Sequence, residues 1–248
     1  MDQIIWRINH LAQVDSTNTW LAERARAGAP AGTVVYADFQ TQGRGRLERS
    51  WTAPSGSSLL CSILLKPDDV ADDPQLLVAS VALAARGALV RLCGLRPDLK
   101  WPNDLMVGDA KIAGLLAELV GGDSPTVVVG IGVNLIAAGP AQARTTSVLQ
   151  EVGVRVTSSA LLDIMLEELD IRLVRMAGFG RDTVREEYVS ALATIGQLVR
   201  VEHHHGVSRG RATGIDATGR LVVSVDGVDV AFASGDVVHL RLEESVIG

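Results

Sequence analysis

The sequence predicts an α+β protein in which a larger region of helices and strands precedes a small all-β region. Two long segments have the apolar content or the spacing of buried helices, at residues 74–93 and 158–176. After Gly196 the apolar runs become short, and turn-forming Asp/Gly residues separate them, which is typical of a small β-barrel. We therefore predict two domains, at residues 1–193 and 194–248.

The first region begins with a short helix between two turn signals. Asp15 and the three residues after it offer N-cap side chains, and Gly28 ends the helix. Residues 33–39 and 58–65 have the length and apolar character of strands. Pro74 then stands in the first turn of the long apolar helix, where proline is favoured.

Residues 99–107 read as short extended pieces that lead to a Gly-Asp turn. Two further apolar strands follow at 111–120 and 126–135, and a third helix is expected at 182–193. The small domain then contributes four short strand-like runs.

The composition is that of an ordinary globular protein. The chain has 248 residues, of which 47% are apolar and 21% charged, and its formal net charge is -6. Proteins dedicated to gripping nucleic acid carry a basic excess, so the acidic balance argues against that class.

Cysteine usage and the N-terminus bear on the compartment. Cys61 and Cys93 lie inside apolar runs and are expected to be buried free thiols rather than metal ligands or a disulfide. We see no secretory signal and no uninterrupted apolar run of membrane-spanning length, so we expect a cytoplasmic protein without a membrane partner.

The segment QTQGRGRLERSW, residues 40–51, is a flexible loop with local positive charge. Gly43 and Gly45 allow close backbone approach, and Arg44, Arg46 and Arg49 can pair with phosphate or carboxylate. The spacing matches neither a Walker A loop nor a dinucleotide fingerprint. An anion-binding lid, a solvated basic loop and an RNA-binding patch all remain open from this segment alone.

A second candidate site is the strand segment GIGVN. Alternation places Gly130, Gly132 and Asn134 on one face, which two glycines leave without side chains. We favour a flat ligand over this bare patch, with Asn134 at its edge. A bulge or close packing against another backbone is the alternative.

Three further features contain polar side chains whose role the sequence leaves open. Lys111, expected on one face with Ala113 and Leu115, either extends to water or points at a phosphate. Asp104 can hold a metal, orient an amine or cap a turn. Residues 203–205 are three histidines, which we expect in a solvated turn because neighbouring side chains on extended backbone point apart.

The motifs occur in an order that resembles the biotin protein ligase family. They are DSTN at 15–18, QTQGRGR at 40–46 with Trp51 five residues on, KWPNDL at 100–105, KIAGLL at 111–116 and GIGVN at 130–134. The resemblance extends from Asp15 to Leu242. It implies a mixed sheet flanked by helices, of the class II synthetase-like kind, followed by an SH3-like barrel.

The resemblance also implies the reaction. Biotin and ATP would give biotinyl-5'-AMP, with Mg²⁺, and biotin would pass to a specific lysine of a biotin carboxyl carrier domain of acetyl-CoA carboxylase or a related carboxylase. The loop would act as a lid that excludes water and becomes ordered when the site is filled.

Site residues follow from the same resemblance. The implied biotin site comprises Ser16, Thr17, Asn18, Gln40, Gly43, Arg44, Gly45, Arg46, Lys111, Gly114, Gly130 and Gly132. The implied ATP site comprises Arg46, Arg49, Trp51, Asn103, Lys111 and Asn134. The implied catalytic residues are Arg46, Lys111 and Asp104, with Asn103 and Asp104 arranging Mg-ATP or the attacking lysine.

The chain departs from the family pattern at Leu47-Glu48, where many members have a glycine. We expect a stiffer loop in which Glu48 pairs with an arginine when the site is empty. Only 14 residues precede Asp15, so we expect no DNA-binding domain. The oligomeric state is left open between monomer and homodimer.

Two other functions share part of this pattern with biotin ligation. A lipoate or octanoate ligase has the same fold class but needs an apolar tunnel, whereas the side chains of 16–18 and 40 are polar. A non-enzymatic RNA-binding module would use the arginines and Trp51.

Overall fold

The computed structural model describes residues 4–47, 49–66, 74–121, 126–138, 144–204 and 206–240. Within these ranges the chain forms a seven-stranded sheet, a five-stranded antiparallel sheet and five helices. The mixed sheet flanked by helices and the small C-terminal β unit confirm the predicted fold class. The predicted limits of the two domains remain a prediction.

The large sheet has the strand order β1-β2-β3-β7-β6-β5-β4. Only the β1–β2 pair is parallel among these neighbours. The strands are β1 (Arg7–Leu11), β2 (Thr33–Ala37), β3 (Ser58–Leu65), β4 (Asp98–Lys100), β5 (Asp104–Val107), β6 (Ala110–Val120) and β7 (Thr126–Asn134).

The two faces of this sheet carry different side chains because strand residues alternate. On one face, residues such as Ile63 and Val129 pack against the long helices in the main core. On the other face, Leu64 and Val128 pack with Leu21 in a smaller cluster. The helices are α1 (Thr17–Arg26), α2 (Pro74–Cys93), α3 (Val148–Val152), α4 (Ser158–Phe179) and α5 (Asp182–Ala191).

Helix α2 is the central helix of the main core. Its segment Gln75–Cys93 is long and apolar enough to cross a membrane, and 67% of its most apolar window is buried inside the protein. Core helices of globular proteins have this composition because they are covered on most sides.

The C-terminal sheet has the order β11-β10-β9-β8-β12. It rests on the large region through Trp101, whose Nε1 donates to Gly219 O at 3.3 Å and whose backbone N donates to Thr194 Oγ1 at 3.3 Å. Its apolar side chains belong to the same continuous core. The strands are β8 (Leu198–His203), β9 (Gly206–Ile215), β10 (Leu221–Val225), β11 (Val228–Phe232) and β12 (Asp236–His239).

The cysteines and the histidine segment can be compared with their sequence predictions. Cys61 is buried, Cys93 is half-buried, and both are free thiols, as predicted. His203 is the last residue of β8 rather than part of a turn, its ring packs on Phe232, and His205 lies outside the described residues. Among the residues that the structure describes, no group of three or more side chains is arranged to hold a metal ion.

Candidate active site

A cavity of about 350 Å³ opens on the α1 side of the large sheet. All but one of the implied biotin, ATP and catalytic residues line it, although these residues are spread from 16 to 134. Gly43 lines the adjoining space beneath the loop. The fold therefore brings the predicted set together.

The floor of the cavity is formed by β3, β7 and β6 lying side by side. Gly132 pairs with Leu60 on one neighbour and with Gly114 on the other. Gly130 pairs in the same way with Ser62 and Leu116. Because alternate residues share a face, this floor runs as a strip from Asn134 past both glycines.

The glycines of the floor are covered by the protein's own side chains. A Cβ at Gly132 would stand 2.5 Å from the Trp51 indole, and a Cβ at Gly130 would overlap the Asn18 amide. At Gly114 it would lie 2.8 Å from Lys111 Nζ. The strip is therefore not bare backbone, because side chains pack over its glycines, and contact of a ligand with this floor stays a prediction.

One end of the cavity is a network of neutral hydrogen bonds. Gln40 Oε1 accepts from Thr17 N at 2.7 Å and from Thr17 Oγ1 at 3.0 Å. The Ser62 hydroxyl lies 2.8 Å from Thr17 Oγ1 and 2.6 Å from Asn18 Oδ1, and it donates to one of them at a time. Thr17, Asn18 and Ser62 are buried, so these bonds fix their rotamers. We call this region the head-group end.

Asn18 connects the network to a charged pair at its border. Its Nδ2 donates to Leu116 O at 3.2 Å and to Glu118 Oε2 at 2.8 Å. Glu118 Oε1 lies 2.9 Å from Arg44 Nη2. The Asn18 amide protons are thus used within the protein.

Lys111 lies at the opposite end of the floor. A β-bulge opposite Leu105 and Met106 shifts the register of β6 and turns Lys111 toward Gly114 instead of Ala113 and Leu115, which was the expectation. Lys111 Nζ pairs with Asp104 Oδ1 at 2.5 Å.

The segment that follows Trp101 supplies the other groups of this end. Asn103 is oriented by its own bond to the sheet, since its Nδ2 donates to Leu115 O at 2.7 Å. Arg46 Nη1 donates to Asn103 Oδ1 at 3.3 Å. We call the region around Lys111, Asp104 and Arg46 the cationic end.

Arg46 is the most enclosed arginine of the loop. Burial lowers the pKa of Arg46, and the carboxylates of Asp236 and Asp104 oppose that shift. Arginine keeps its charge in proteins, so Arg46 presents a fixed cation in a partly desolvated place. Arg49 forms an ion pair with Asp236, which comes from the C-terminal sheet.

Among the described residues, two buried polar atoms of this region lack any partner, in addition to Asp104 Oδ1, which makes only the ion pair with Lys111. Asn134 Nδ2 donates to Thr146 O at 3.0 Å, whereas Asn134 Oδ1 is buried and unpaired. The Trp51 Nε1 donor is also buried and unpaired. Unpaired buried polar atoms are uncommon and mark places where a ligand can supply the missing partner.

The loop itself is a tight hairpin that closes over the cavity. Gly45 N donates to Arg49 O at 2.7 Å, and Trp51 N donates to Gly43 O at 2.9 Å. Leu47 stands at the tip with φ 53, and its side chain is 64% exposed. Glu48 lies outside the described residues, so the expected Glu48–arginine pair remains a prediction.

The three loop arginines separate rather than converge. Arg44 reaches the head-group end, while Arg46 and Arg49 reach the cationic end. The guanidinium of Arg44 is therefore engaged by Glu118 at the head-group end and lies apart from Arg46 and Arg49.

Three residues of the site were missed by the sequence reasoning. Ser62 and Glu118 had a signal, because each is a polar residue on the cavity side of an otherwise apolar strand. Asp236 had none, since its partner Arg49 is 187 residues away.

Comparisons with known proteins identify the family of the chain. Residues 11–134 match the Biotin/lipoate A/B protein ligase family, and residues 194–240 match the Biotin protein ligase C terminal domain. The chain is 34% identical to the biotin–[acetyl-CoA-carboxylase] ligase of Mycobacterium tuberculosis, over 97% of this chain and 94% of that protein. It is 31% identical to the ligase of the same name from Paracoccus denitrificans, over 86% of this chain and 92% of that protein.

A solved structure shows the same architecture. The biotin protein ligase from Aquifex aeolicus in complex with biotin and ATP aligns with a TM-score of 0.82 at 26% identity, covering 95% of this chain and 99% of that chain. The family matches, the relatives and the shared fold lead to one conclusion: the chain belongs to the biotin protein ligase family and is a biotin–protein ligase.

Proposed function

We propose that the enzyme joins biotin to ATP, giving biotinyl-5'-AMP and pyrophosphate, and then transfers biotin to one lysine of a biotin carboxyl carrier domain. One observation carries the proposal: a single cavity has a neutral hydrogen-bonding end and a cationic end on the same strip of sheet. A carboxylic acid with a neutral bicyclic head group and a nucleotide need these two environments at once.

The head-group end suits biotin. Its ureido group is neutral and carries two N–H donors and one carbonyl acceptor. Hydroxyls and amide oxygens of Ser16, Thr17 and Gln40 face the cavity and can pair with these groups. Asn18 supports them from beneath, because its own amide protons are bound to Leu116 and Glu118. A fatty chain would leave these polar groups without partners, which disfavours octanoate.

The cationic end suits ATP. The unpaired Asn134 Oδ1 can accept from the exocyclic amine of adenine, and Trp51 Nε1 can donate to a ligand oxygen or ring nitrogen. The Trp51 indole packs against Gly132 inside the cavity and offers an aromatic ring on which a base can stack.

In the first step a carboxylate oxygen of biotin attacks the α-phosphorus of ATP. The new P–O bond forms as the bond to the bridging oxygen breaks, and pyrophosphate leaves with the electron pair. Lys111 and Arg46 are the fixed cations beside this centre, and they stabilise the charge that builds up on the phosphoryl oxygens. They also hold two anions together that would otherwise repel.

Magnesium fits this end through the substrate. Mg²⁺ is commonly held by one or two carboxylates together with substrate phosphates, and Asp104 is a carboxylate on this side of the cavity. When bound, Mg²⁺ would neutralise charge on the phosphates.

In the second step the carrier lysine attacks the acyl carbon of the adenylate, and AMP leaves. The mixed anhydride hydrolyses in water, so the hairpin loop across the cavity protects it. Asn103 and Asp104 stand beside the reacting centre and are placed to orient the incoming amine.

Incubation of the purified chain with ATP, Mg²⁺, biotin and a biotin carboxyl carrier domain tests the whole proposal. We expect one biotin per carrier by mass spectrometry, and none on a carrier whose target lysine is replaced by arginine. A wild-type carrier that a known ligase modifies but this chain leaves unmodified would contradict the proposal.

A further inference from the structure

We propose that Glu118 is a positioning residue that couples the head-group end of the cavity to closure of the loop at residues 43–51. The inference rests on the proposed function, because it concerns how the same site retains biotin and the adenylate. Glu118 does not itself line the cavity. It acts through Asn18 on one side and Arg44 on the other.

The two carboxylate oxygens of Glu118 bind different partners. Oε2 accepts from Asn18 Nδ2 at 2.8 Å, and Oε1 pairs with Arg44 Nη2 at 2.9 Å. The Glu118 side chain is 26% exposed, so water screens this pair less than a pair on the open surface. The carboxylate is therefore held from both sides in one orientation.

Asn18 cannot turn independently of its neighbours. It is 4% exposed and lies over Gly130, where any Cβ would overlap its amide. Its Oδ1 accepts from Ser62, and its Nδ2 is also bound to Leu116 O. A continuous chain of contacts thus runs from Gln40 and Thr17 through Ser62 and Asn18 to Glu118.

Arg44 is the anchor of the loop at the head-group end. Arg46 and Arg49 are attached at the cationic end, to Asn103 and Asp236. Loss of the Glu118 charge would leave the loop attached at one end only. We expect faster escape of biotin and of the adenylate, with the chemical step at saturating biotin much less affected.

A double-mutant cycle on Arg44 and Glu118 tests this coupling. Glu118→Gln keeps an oxygen that can accept from Asn18 but removes the charge, and Arg44→Gln removes the other charge. Rates of adenylate dissociation are measured by rapid dilution for wild type, both single variants and the double variant. We expect each single variant to release adenylate roughly three- to fivefold faster, and the double variant to match the singles.

A matched control is Glu167→Gln, which removes one of the two carboxylates that pair with Arg91, at 2.8 Å between α4 and α2. It should release adenylate at the wild-type rate. Steady-state rates give a second readout: Glu118→Gln should raise the KM for biotin while kcat holds. Added salt should speed release from wild type but not from Glu118→Gln, because only wild type retains the charged pair.

The inference would be overturned if Glu118→Gln released adenylate at the wild-type rate. It would also be overturned if the effects of the two single variants on that rate multiplied in the double variant. Wild-type protein that forms no adenylate would contradict the proposed function instead, so the two failures are distinct. Arg44→Gln lies on the loop outside the core and keeps the test decisive even where Glu118→Gln does not fold.

Discussion

The two ends of the cavity differ in how their polar groups are satisfied. At the head-group end, Thr17, Gln40, Ser62 and Asn18 bind one another through neutral hydrogen bonds. At the cationic end, side chains of opposite charge hold one another, as in the pair of Lys111 with Asp104. The neutral end therefore exchanges no ion pair when it receives a neutral head group.

The cationic end, by contrast, must exchange partners when ATP enters. Lys111 and Arg49 form ion pairs with Asp104 and Asp236, and these pairs must open before the two cations can bind phosphate. Unpaired atoms of Asn134 and Trp51 occur in this same region. The difference indicates that shape and hydrogen bonding select the acid, while charge exchange controls the nucleotide.

The largest effect is expected from Lys111→Ala. Loss of a fixed cation beside the reacting phosphorus should slow adenylate formation by about 10²- to 10³-fold, and biotin binding without ATP should weaken far less, because the head-group contacts lie at the other end. Single-turnover formation of adenylate measures the first quantity and calorimetry the second.

Lys66→Ala, at an exposed position beyond β3, is the matched control. Equal single-turnover rates for wild type and Lys111→Ala would remove Lys111 from the mechanism.

Gly130→Ala should damage the opposite end. The new methyl group would overlap the Asn18 amide and force it out of its network. Overpacking of this kind costs about 1–3 kcal/mol, so biotin affinity should fall by roughly tenfold or more. Calorimetric titration with biotin measures the change, and the KM for ATP should change far less.

Gly214→Ala is the control, because a Cβ there would meet nothing within 4 Å. If Gly130→Ala weakened ATP as much as biotin, the division of the cavity into two ends would fail.

A smaller effect is expected from Asp236→Asn. Removal of this carboxylate frees Arg49 and makes the potential at the cationic end more positive. The KM for ATP should therefore fall by a few-fold, less so at high salt, while the KM for biotin stays constant. Asp229→Asn on β11 serves as the control. A higher KM for ATP would mean that Asp236 serves mainly to hold the loop in place.

The smallest effect is expected on the pH dependence of folding stability, through His239 at the end of β12. His239 Nε2 is 3.2 Å from Thr194 Oγ1, and the same hydroxyl oxygen accepts a hydrogen bond from Trp101 N. Burial lowers the pKa of His239, and the positive charge of Lys100 adds to the shift, while Asp109 opposes it.

The unfolded chain then binds more protons than the folded chain near and below the ordinary histidine pKa of about 6.5. Stability is present above that pH and is lost as pH falls, by linkage. Urea midpoints across this range should fall more steeply for wild type than for His239→Gln. Equal slopes would show that His239 has no part in the acid sensitivity.

Much of the fold could be predicted because its helices and strands carry strong local patterns. The helix at Pro74–Cys93 has the predicted limits, since an apolar run and an N-terminal proline define it. Strand β1 escaped prediction, because Arg7–Leu11 is a half-exposed edge strand of five residues with no apolar alternation. Its pairing with β2 depends on tertiary structure.

The site divides in the same way. The candidate site residues of the motifs line the cavity as a group, as the motifs predicted. The side chains that pair with them could not be predicted from the motifs. Lys111 faces Gly114 because a bulge interrupts the alternation of β6, and Asp236 arrives from a different sheet. Pairings across such sequence separations are set by packing rather than by local pattern.

Exchange of labelled pyrophosphate into ATP, with Mg²⁺ and either biotin, lipoate or octanoate, tests the two-ended cavity most directly. It reports the first step alone and needs no carrier domain. We predict exchange with biotin only, because the head-group end requires a ligand that pairs with its polar side chains. Exchange with lipoate or octanoate, or with none of the three acids, would contradict the assignment of the cavity to biotin and ATP.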